Sequence, residues 1–499
     1  MTPRTRGSAA LIGAATALAV ALGLILRFVA PSPLWLDEAL SVHIATGELP
    51  LGDALRRDGH PGLYYLLLGW WIDLFGDGDR AVRALSGVLG VATVPVLWFA
   101  ARRHGRNVAV ATVLLASSSP YLIRYATEVR MYALLVLLIA LGWLAMEIAW
   151  ERPTARSLAA VAVVTAGAMH THYWSFYAVA AGGLIVVWAA WRTDARRRGA
   201  AIIAAMAAGA ATFLPWLPVF FDQLRDTGTP WADRARPTEV FIETLQGLGG
   251  NNRFEGESLG ILLAVLAALG VFAVGAARDG ELRLRTDVPP SVRLPVAGAL
   301  LGLGIGAAAA IVTSGAFEAR YAAIAIPFIL VLAGRGGATL DGRARIVVLS
   351  IVVLLGFAVS VDEARRTRSQ GEEVAAAIDE RAAGGDIVVF CPDQVGPATT
   401  HYLATDLTTQ AFPSGDGYTV DWRNYLDRAA STDPVVFADQ AMTVAGDGAV
   451  WFVAGIGYRG IDERCARVQS HLTSQRPAEQ VVGLTDLFEG MYAIRFAAP

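Results

Sequence analysis

The chain has 499 residues, 55% of them hydrophobic and only 17% charged, with a net charge of −3. A soluble domain carries roughly 25% charge, so most of this sequence expects lipid around it. A net charge so near zero offers no electrostatic grip on nucleic acid. All basic side chains are arginine, and two cysteines, Cys391 and Cys465, occur late in the chain.

A membrane-crossing helix needs roughly 17–25 mostly apolar residues. The first apolar run, Ser8 to Leu26, follows Arg4 and Arg6 and closes at Arg27. It exceeds the ~7–15 residues of a signal-peptide core and lacks a small-x-small cleavage site. A retained helix with its basic end in the cytoplasm is expected. The loop that follows, "PLWLDEALSVHIATGELPLGDALRRDGHPGLYY" (33–65), places Asp37 and Glu38 directly after that helix. Next, "PGLYYLLLGWWIDLFG" (61–76) is short for a crossing and rich in Tyr and Trp, which favour the membrane interface. It is expected to lie in that interface.

Eleven crossings are expected, near 8–30, 82–101, 107–123, 132–150, 157–171, 174–191, 199–218, 258–277, 294–313, 321–334 and 345–361. Arginine marks the cytoplasmic side. With the N-terminus inside, this count puts "ARRHGR" (101–106), "ERPTAR" (151–156), "WRTDARRRG" (191–199), "ARDGELRLR" (277–285) and "GRGGATLDGRAR" (334–345) in the cytoplasm. It puts 362–499 outside. The fold class read from this pattern is an all-α polytopic membrane domain, 1–361, followed by an extracytoplasmic α/β domain, 362–499. In that tail, "GEEVAAAIDERAAGGDIVVFCP" reads as helix, turn and buried strand. "GAVWFVAGI", "DERCARVQSHL", "EQVVGL" and "MYAIRF" continue the alternation. Outside the cytoplasm the two cysteines can pair or remain two buried thiols.

This topology collects the unusual polar residues on one side. Asp37, Glu38, His43, His60 and Tyr64 fall in the first outer loop. Arg124, Glu128, Arg130 and Tyr132 ("RYATEVRMY"), His170 and His172 ("HTHYW"), and Arg320 and Tyr321 ("FEARY") fall at later outer turns. Ionisable groups at membrane depth are costly and usually line a cavity. Each also has a plain structural reading. Asp37 can N-cap "EALSVHIA". Arg124 and Glu128 can pair at i,i+4. His170 and His172 point to different sides of a helix, which suits them poorly as joint metal ligands. Arg320 can snorkel to headgroups.

The stretches "LDE", "HPGLYYLLLGWWIDLFG", "RALSGVLGVATV", "SPYLIRYATEVRMYAL", "HTHYW" and "FEARYAAIAIP" resemble the GT-C membrane glycosyltransferases. The resemblance is to family 39, the protein mannosyltransferases and their bacterial relatives, and covers residues 1 to about 335. It implies a multi-pass protein of the bacterial plasma membrane that uses a polyprenyl-phosphate sugar, most often mannose, on the outer face. Asp37 matches the family's first-loop base, with Glu38 orienting the acceptor or an arginine. Arg320, with Tyr321, matches the lipid-phosphate position, and Arg130 and His60 join it. Glu128, Tyr132, His170, His172 and Tyr64 are expected to bind substrate or support the outer face. A monophosphate donor leaves with arginine help and requires no metal, while pyrophosphate-using members of the superfold employ a divalent ion, so both stay open. The tail differs from the MIR insert of eukaryotic protein mannosyltransferases and is expected to shape acceptor access without supplying the base. Lipid, glycan and protein acceptors all fit. Rival readings are a lipid-linked-sugar transporter or flippase, a membrane anchor for the outer domain, and an arabinofuranosyltransferase of the same superfold. Transporters usually carry internal repeats and midplane sites, neither of which this sequence shows.

Overall fold

The computed structural model describes residues 3–47, 49–227, 236–250, 253–274, 281–313, 316–458 and 460–498. The "ARDGELRLR" loop therefore lies partly outside the described residues. Each of the eleven apolar runs falls on helix. Among the described residues, six helices are long and apolar enough to cross a membrane: Asp79–Arg102, Tyr132–Glu151, Ser175–Arg192, Phe254–Phe272, Pro290–Val312 and Gly342–Arg365. Two further spans are bent pairs, Arg106–Ser117 with Pro120–Ala126 (53°) and Arg196–Ala211 with Leu214–Asp226 (40°). The remaining three runs fall on the shorter apolar helices Ile12–Leu26, Ala155–Met169 and Ile326–Thr339. At 1.5 Å per residue Ala155–Met169 and Ile326–Thr339 reach roughly 21–23 Å, short of the ~30 Å hydrocarbon core, while Ile12–Leu26 is the apolar part of the 24-residue helix Pro3–Leu26. Among the described residues, length and composition thus support six to eight crossings.

The chain divides into two compact units. One comprises 1–30, 83–215 and 233–365; the other comprises 31–82, 216–232 and 366–499. The boundary expected at 361/362 lies four residues from the observed edge at Arg365/Arg366. The second unit also takes in two segments from earlier in the chain.

The first unit is helical. The pair Phe254–Phe272 and Ile326–Thr339 packs backbone to backbone. A Cβ on Gly270 would strike the Leu332 carbonyl, and one on Gly336 would strike the Leu266 carbonyl. Small residues serve this close approach in lipid, where burial of apolar area drives no association. Arg27 ends the first helix turned inward and fully buried. Its guanidinium donates to the carbonyls of Gly23 (2.5 Å) and Ala116 (2.8 Å). At the 53° bend, Ser119 caps the second half by accepting from the Leu122 amide (3.3 Å). The Ser360 hydroxyl reaches the Ser118 carbonyl (3.5 Å).

The second unit is built on a five-stranded sheet of order β2-β1-β3-β5-β4. Its strands are β1 Ile387–Cys391, β2 Thr408–Ala411, β3 Val450–Gly455, β4 Ala478–Val482 and β5 Met491–Phe496. β1 pairs in parallel with β2 and β3, and β5 runs antiparallel to β3 and β4. The two central strands are buried at every residue, as befits a sheet covered on both faces. On one face Ile387, Val389, Val450 and Phe452 pack against Phe437, Val468 and Leu472 of helices Pro434–Ala445 and Asp462–Gln475; on the other, Val388, Phe390 and Trp451 meet Val374 and Ile378 of helix Gly371–Arg381. Trp35 and Leu36 of the first loop join the first of these cores, which explains why 31–82 belongs to this unit. Cys391 and Cys465 are disulfide-bonded, 74 residues apart. The helix expected in the interface, Leu63–Phe75, is about 20 Å long. It buries Tyr64, Tyr65 and Leu68 and exposes Leu66, Trp70 and Leu74.

One buried carboxylate ties the starts of β1 and β3 together. Asp386 accepts from the amides of Ala449 (2.8 Å) and Ala383 (3.1 Å) and from the Trp451 indole (3.0 Å). Burial pushes its pKa up, but these hydrogen bonds outweigh burial and hold it below the ordinary carboxylate value. Asp386→Ala is expected to destabilise this unit by about 1–3 kcal/mol, because it leaves buried donors unpaired. The unfolding midpoint of the purified protein, followed by tryptophan fluorescence, checks this.

Candidate functional site: a buried acid cluster and an arginine–aromatic cluster

Asp37 and Glu38 lie in the first turn of helix Leu36–Thr46. Asp37 is therefore not the N-cap, a place that Trp35 takes without a side-chain hydrogen bond. Both acids stand where the helix dipole favours negative charge. The orphan amide at the helix start is satisfied from the far end of the chain: Leu36 N–H donates to Glu489 Oε1 at 3.0 Å. Glu38 is fully buried with Arg368 Nη1 3.9 Å away, while Asp37 is half-buried. The segment carrying Arg368 is fastened on both sides. Its amide donates to Ser32 Oγ (2.8 Å), and its carbonyl accepts from the Glu489 amide (2.8 Å). Gln370 Oε1 accepts from the amides of Thr485 (3.0 Å) and Met491 (2.9 Å). Three carboxylates and one guanidinium are thus assembled from both ends of the sequence.

In the same unit, His60 Nδ1 lies 3.0 Å from Asp58 Oδ2, and the Tyr65 hydroxyl donates to that oxygen at 2.6 Å. This carboxylate fixes the imidazole and favours its Nδ1–H form. Tyr64 is fully buried and meets the Tyr65 ring edge-on at 6.2 Å, which is a packing role. His43 donates from Nδ1 to the Tyr418 carbonyl (2.8 Å) and sits 5.9 Å from the His401 ring. Burial, joined by His401, pulls its pKa down to about 4, so His43 is neutral at physiological pH.

The other predicted residues belong to the helical unit. Arg124 and Glu128 form the expected i,i+4 pair (3.3 Å). Glu128 and Arg130 are buried within one turn, the Arg130 amide donating to the Glu128 carbonyl (2.8 Å). From there a run of ring contacts leads from Tyr125 to Tyr132 (5.1 Å), His172 (5.7 Å), Tyr321 (5.4 Å) and Trp174 (5.2 Å, stacked). The half-buried Arg320 lies over the Tyr321 ring at 5.7 Å, and its carbonyl accepts from the Tyr121 hydroxyl (2.8 Å). His172 Nδ1 accepts from the Trp174 amide (3.1 Å), so a neutral ring carries its proton on Nε2. His170 turns elsewhere, to Thr212 and the Phe213 ring. The two histidines are separated, though not by helical spacing, because helix Ala155–Met169 ends before both. Among the described residues no cluster of His, Cys, Asp and Glu is arranged to hold a metal ion.

Sequence reasoning missed Glu489, Arg368 and Asp58. Asp58 had a local signal, two residues before His60 and seven before Tyr65. Glu489 and Arg368 had none, since only the fold returns them to the first loop.

Burial pushes Glu489 up to about 8, and the charges of Asp37 and Glu38 add to this; bonds from Ser369 and Leu36 oppose it. The folded state therefore favours the neutral acid. Its contribution to stability is present below the unfolded value, roughly 4.3, and is lost as pH rises through about 8. Glu489→Gln keeps an acceptor for Leu36 without a charge and is expected to flatten that decline. Glu489→Ala leaves the amide unpaired and is expected to cost about 1–3 kcal/mol relative to Glu489→Gln at all pH values. Thermal unfolding of the two variants across pH separates these effects.

Residues 59–218 match the family model for dolichyl-phosphate-mannose-protein mannosyltransferase. No curated protein matches the sequence. Among solved structures, ArnT from Cupriavidus metallidurans bound to undecaprenyl phosphate is 14% identical with a TM-score of 0.60, covering 99% of this chain and 99% of that one. Its apo form gives 14% and 0.60 over 98% and 100%. The arabinofuranosyltransferase AftD from Mycobacteria is 15% identical with a TM-score of 0.49, over 97% of this chain and 40% of that one.

Proposed function

This chain is a multi-pass membrane protein with the GT-C glycosyltransferase fold, and we propose that it transfers a sugar from a polyprenyl-phosphate donor to an acceptor hydroxyl on the outer face of the membrane. The observation that carries this reading is the pair Asp37 and Glu38 at a helix start, backed by Glu489 and Arg368. Such a half-buried carboxylate suits proton abstraction from a hydroxyl.

In the proposed reaction the acceptor oxygen attacks the anomeric carbon and its proton passes to Asp37. The bond from that carbon to the phosphate oxygen breaks, and polyprenyl phosphate leaves. Glu38, held by Arg368, orients the acceptor side and adds negative charge that favours an oxocarbenium-like transition state. Arg320 and Arg130 take the phosphate, since a guanidinium fork matches its oxygens. The aromatic stack under Arg320 restrains its backbone and side chain. His60 contributes through Nε2, because Asp58 engages Nδ1. Glu128 steadies Arg124, and Tyr132 and His172 support Tyr321; Tyr64 and His170 act structurally. No metal is required for a monophosphate leaving group in this scheme. The match of 59–218 to a mannosyltransferase model favours mannose as the sugar.

The proposed orientation has the N-terminus in the cytoplasm and the sheet-bearing tail outside, in a bacterial plasma membrane. The Cys391–Cys465 bond supports it, because disulfides persist in oxidising compartments. Gln410→Cys, in a chain whose native cysteines are paired, is expected to react with a membrane-impermeant maleimide added to intact cells. Reaction only after lysis would reverse the topology.

Asp37→Asn is expected to lower transfer from a labelled polyprenyl-phosphate sugar by roughly 10²–10⁴-fold, the usual contribution of a general base, with donor binding retained. Arg320→Ala is expected to weaken donor binding, and Arg320→Lys to restore it in part, since a point charge lacks the fork. Donor affinity measured beside turnover tells the roles apart. Loss of affinity in Asp37→Asn with loss of turnover alone in Arg320→Ala would exchange them. Repeating the assay with mannosyl and pentosyl donors identifies the sugar.

A further inference from the structure

We propose that the helical unit holds a lipid in a cavity apart from the donor residues. The cavity takes one hydrocarbon chain, with the lipid's polar head at His104 and the Arg103–Glu147 ion pair.

The cavity has a volume of about 450 Å³ and opens among helices Tyr132–Glu151, Ala155–Met169 and Ser175–Arg192. Small residues create the space, Gly142, Ala168 and Gly182 among them, and Trp143, Met146 and Phe328 wall it. This volume falls within the range of ligand pockets. An apolar hollow of this size costs stability when left unfilled, and this unit is solvated by hydrocarbon chains.

The polar end is what makes the cavity a site. His104 lines it, and its Nε2 is shielded from solvent without a hydrogen-bond partner among the described residues. Buried polar atoms in that condition call for a partner, and a phosphate or hydroxyl oxygen of a headgroup supplies one. Beside it, Arg103 Nε lies 2.7 Å from Glu147 Oε2, and Arg103 also pairs with Glu151. Arg103 with Glu147 and Glu151 gives the rim one cation and two carboxylates, which suits a zwitterionic head whose ammonium meets the spare carboxylate while its phosphate faces His104. From Tyr132 to Glu151 the helix runs about 28 Å. The rim therefore lies at the opposite end of this helix from Tyr132 and Arg130. A phosphate held by Arg130 and a head held at His104 are different headgroups.

The ligand chemistry is a flexible hydrocarbon chain ended by a phosphate-bearing head. Its source is either a glycerophospholipid or a polyprenyl phosphate. The test uses the full chain in vesicles of phosphatidylethanolamine and phosphatidylglycerol. One arm carries phosphatidylethanolamine with a mid-chain diazirine, the other a diazirine-bearing polyprenyl phosphate. Cross-links are expected to concentrate on peptides lining the cavity, and the arm that labels them names the source. Gly182→Leu fills the hollow, because a Cβ there meets Met146 and Met206 at ordinary contact distance, 3.4–3.6 Å. It is expected to lower cavity labelling roughly tenfold, equivalent to ~1.4 kcal/mol of affinity, while labelling of the exposed face around Leu354 stays the same. Should that variant fail to fold, unlabelled lipid titrated against the wild-type chain gives the second measurement. Displacement from the cavity peptides but not from the Leu354 face supports the site. Labelling in both arms no stronger than at Leu354, or indifferent to filling and competition, overturns it.

Discussion

Lipid offers no hydrogen bonds, and that constraint orders the rest of this chain. A helix in hydrocarbon satisfies its own backbone; wherever the helix breaks, other protein groups must take over. The 53° bend between Arg106–Ser117 and Pro120–Ala126 shows how. Ser119 receives a freed amide and Ser360 reaches a freed carbonyl. Arg27 obeys the same rule from the other side. Its charge lies out of water, so its donors turn onto the carbonyls of Gly23 and Ala116. The break is also where the polar residues gather, since Arg124, Glu128 and Arg130 follow it within a few positions.

Much of this was legible in the sequence. Hydropathy located the helices because the solvent selects composition directly. It could not decide how many cross. Ala155–Met169 and Ile326–Thr339 are apolar yet short, and a bent pair reads as one run until the bend is seen. In the tail, Gly371–Arg381 and the central strands β1 and β3 matched their patterns. Strand β2, "TTQA", was invisible, because four edge residues without apolar alternation carry no signal. At the candidate site the Arg124–Glu128 pair followed from its i,i+4 spacing, whereas His170 and His172 diverge in a turn after helix Ala155–Met169 rather than around a helix. The company of Asp37 did not. Glu489 stands 453 positions after Leu36, and no local rule connects them.

The two clusters differ in a way that suits different work. Around Asp37 the charges are mostly acidic, and one arginine balances them. Around Arg320 the Tyr321 ring meets the guanidinium by its face. Rings also restrict motion at little cost in conformational entropy, because few side-chain torsions are frozen.

The unit that bears Asp37 is sewn from three stretches of chain: 31–82, 216–232 and 366–499. A ribosome delivers these at three separate times, in chain order. The first loop is made before the rest of the unit, with its two acids, but the Leu36 amide meets Glu489 only after 453 more residues have followed. Until then that helix start has no partner from the sheet, and the acids have no Arg368. The acid cluster is thus completed late, although its first residues are made early. A chain cut short of Glu489 carries Asp37 and Glu38 without these partners, so the acid cluster depends on residues made long after it.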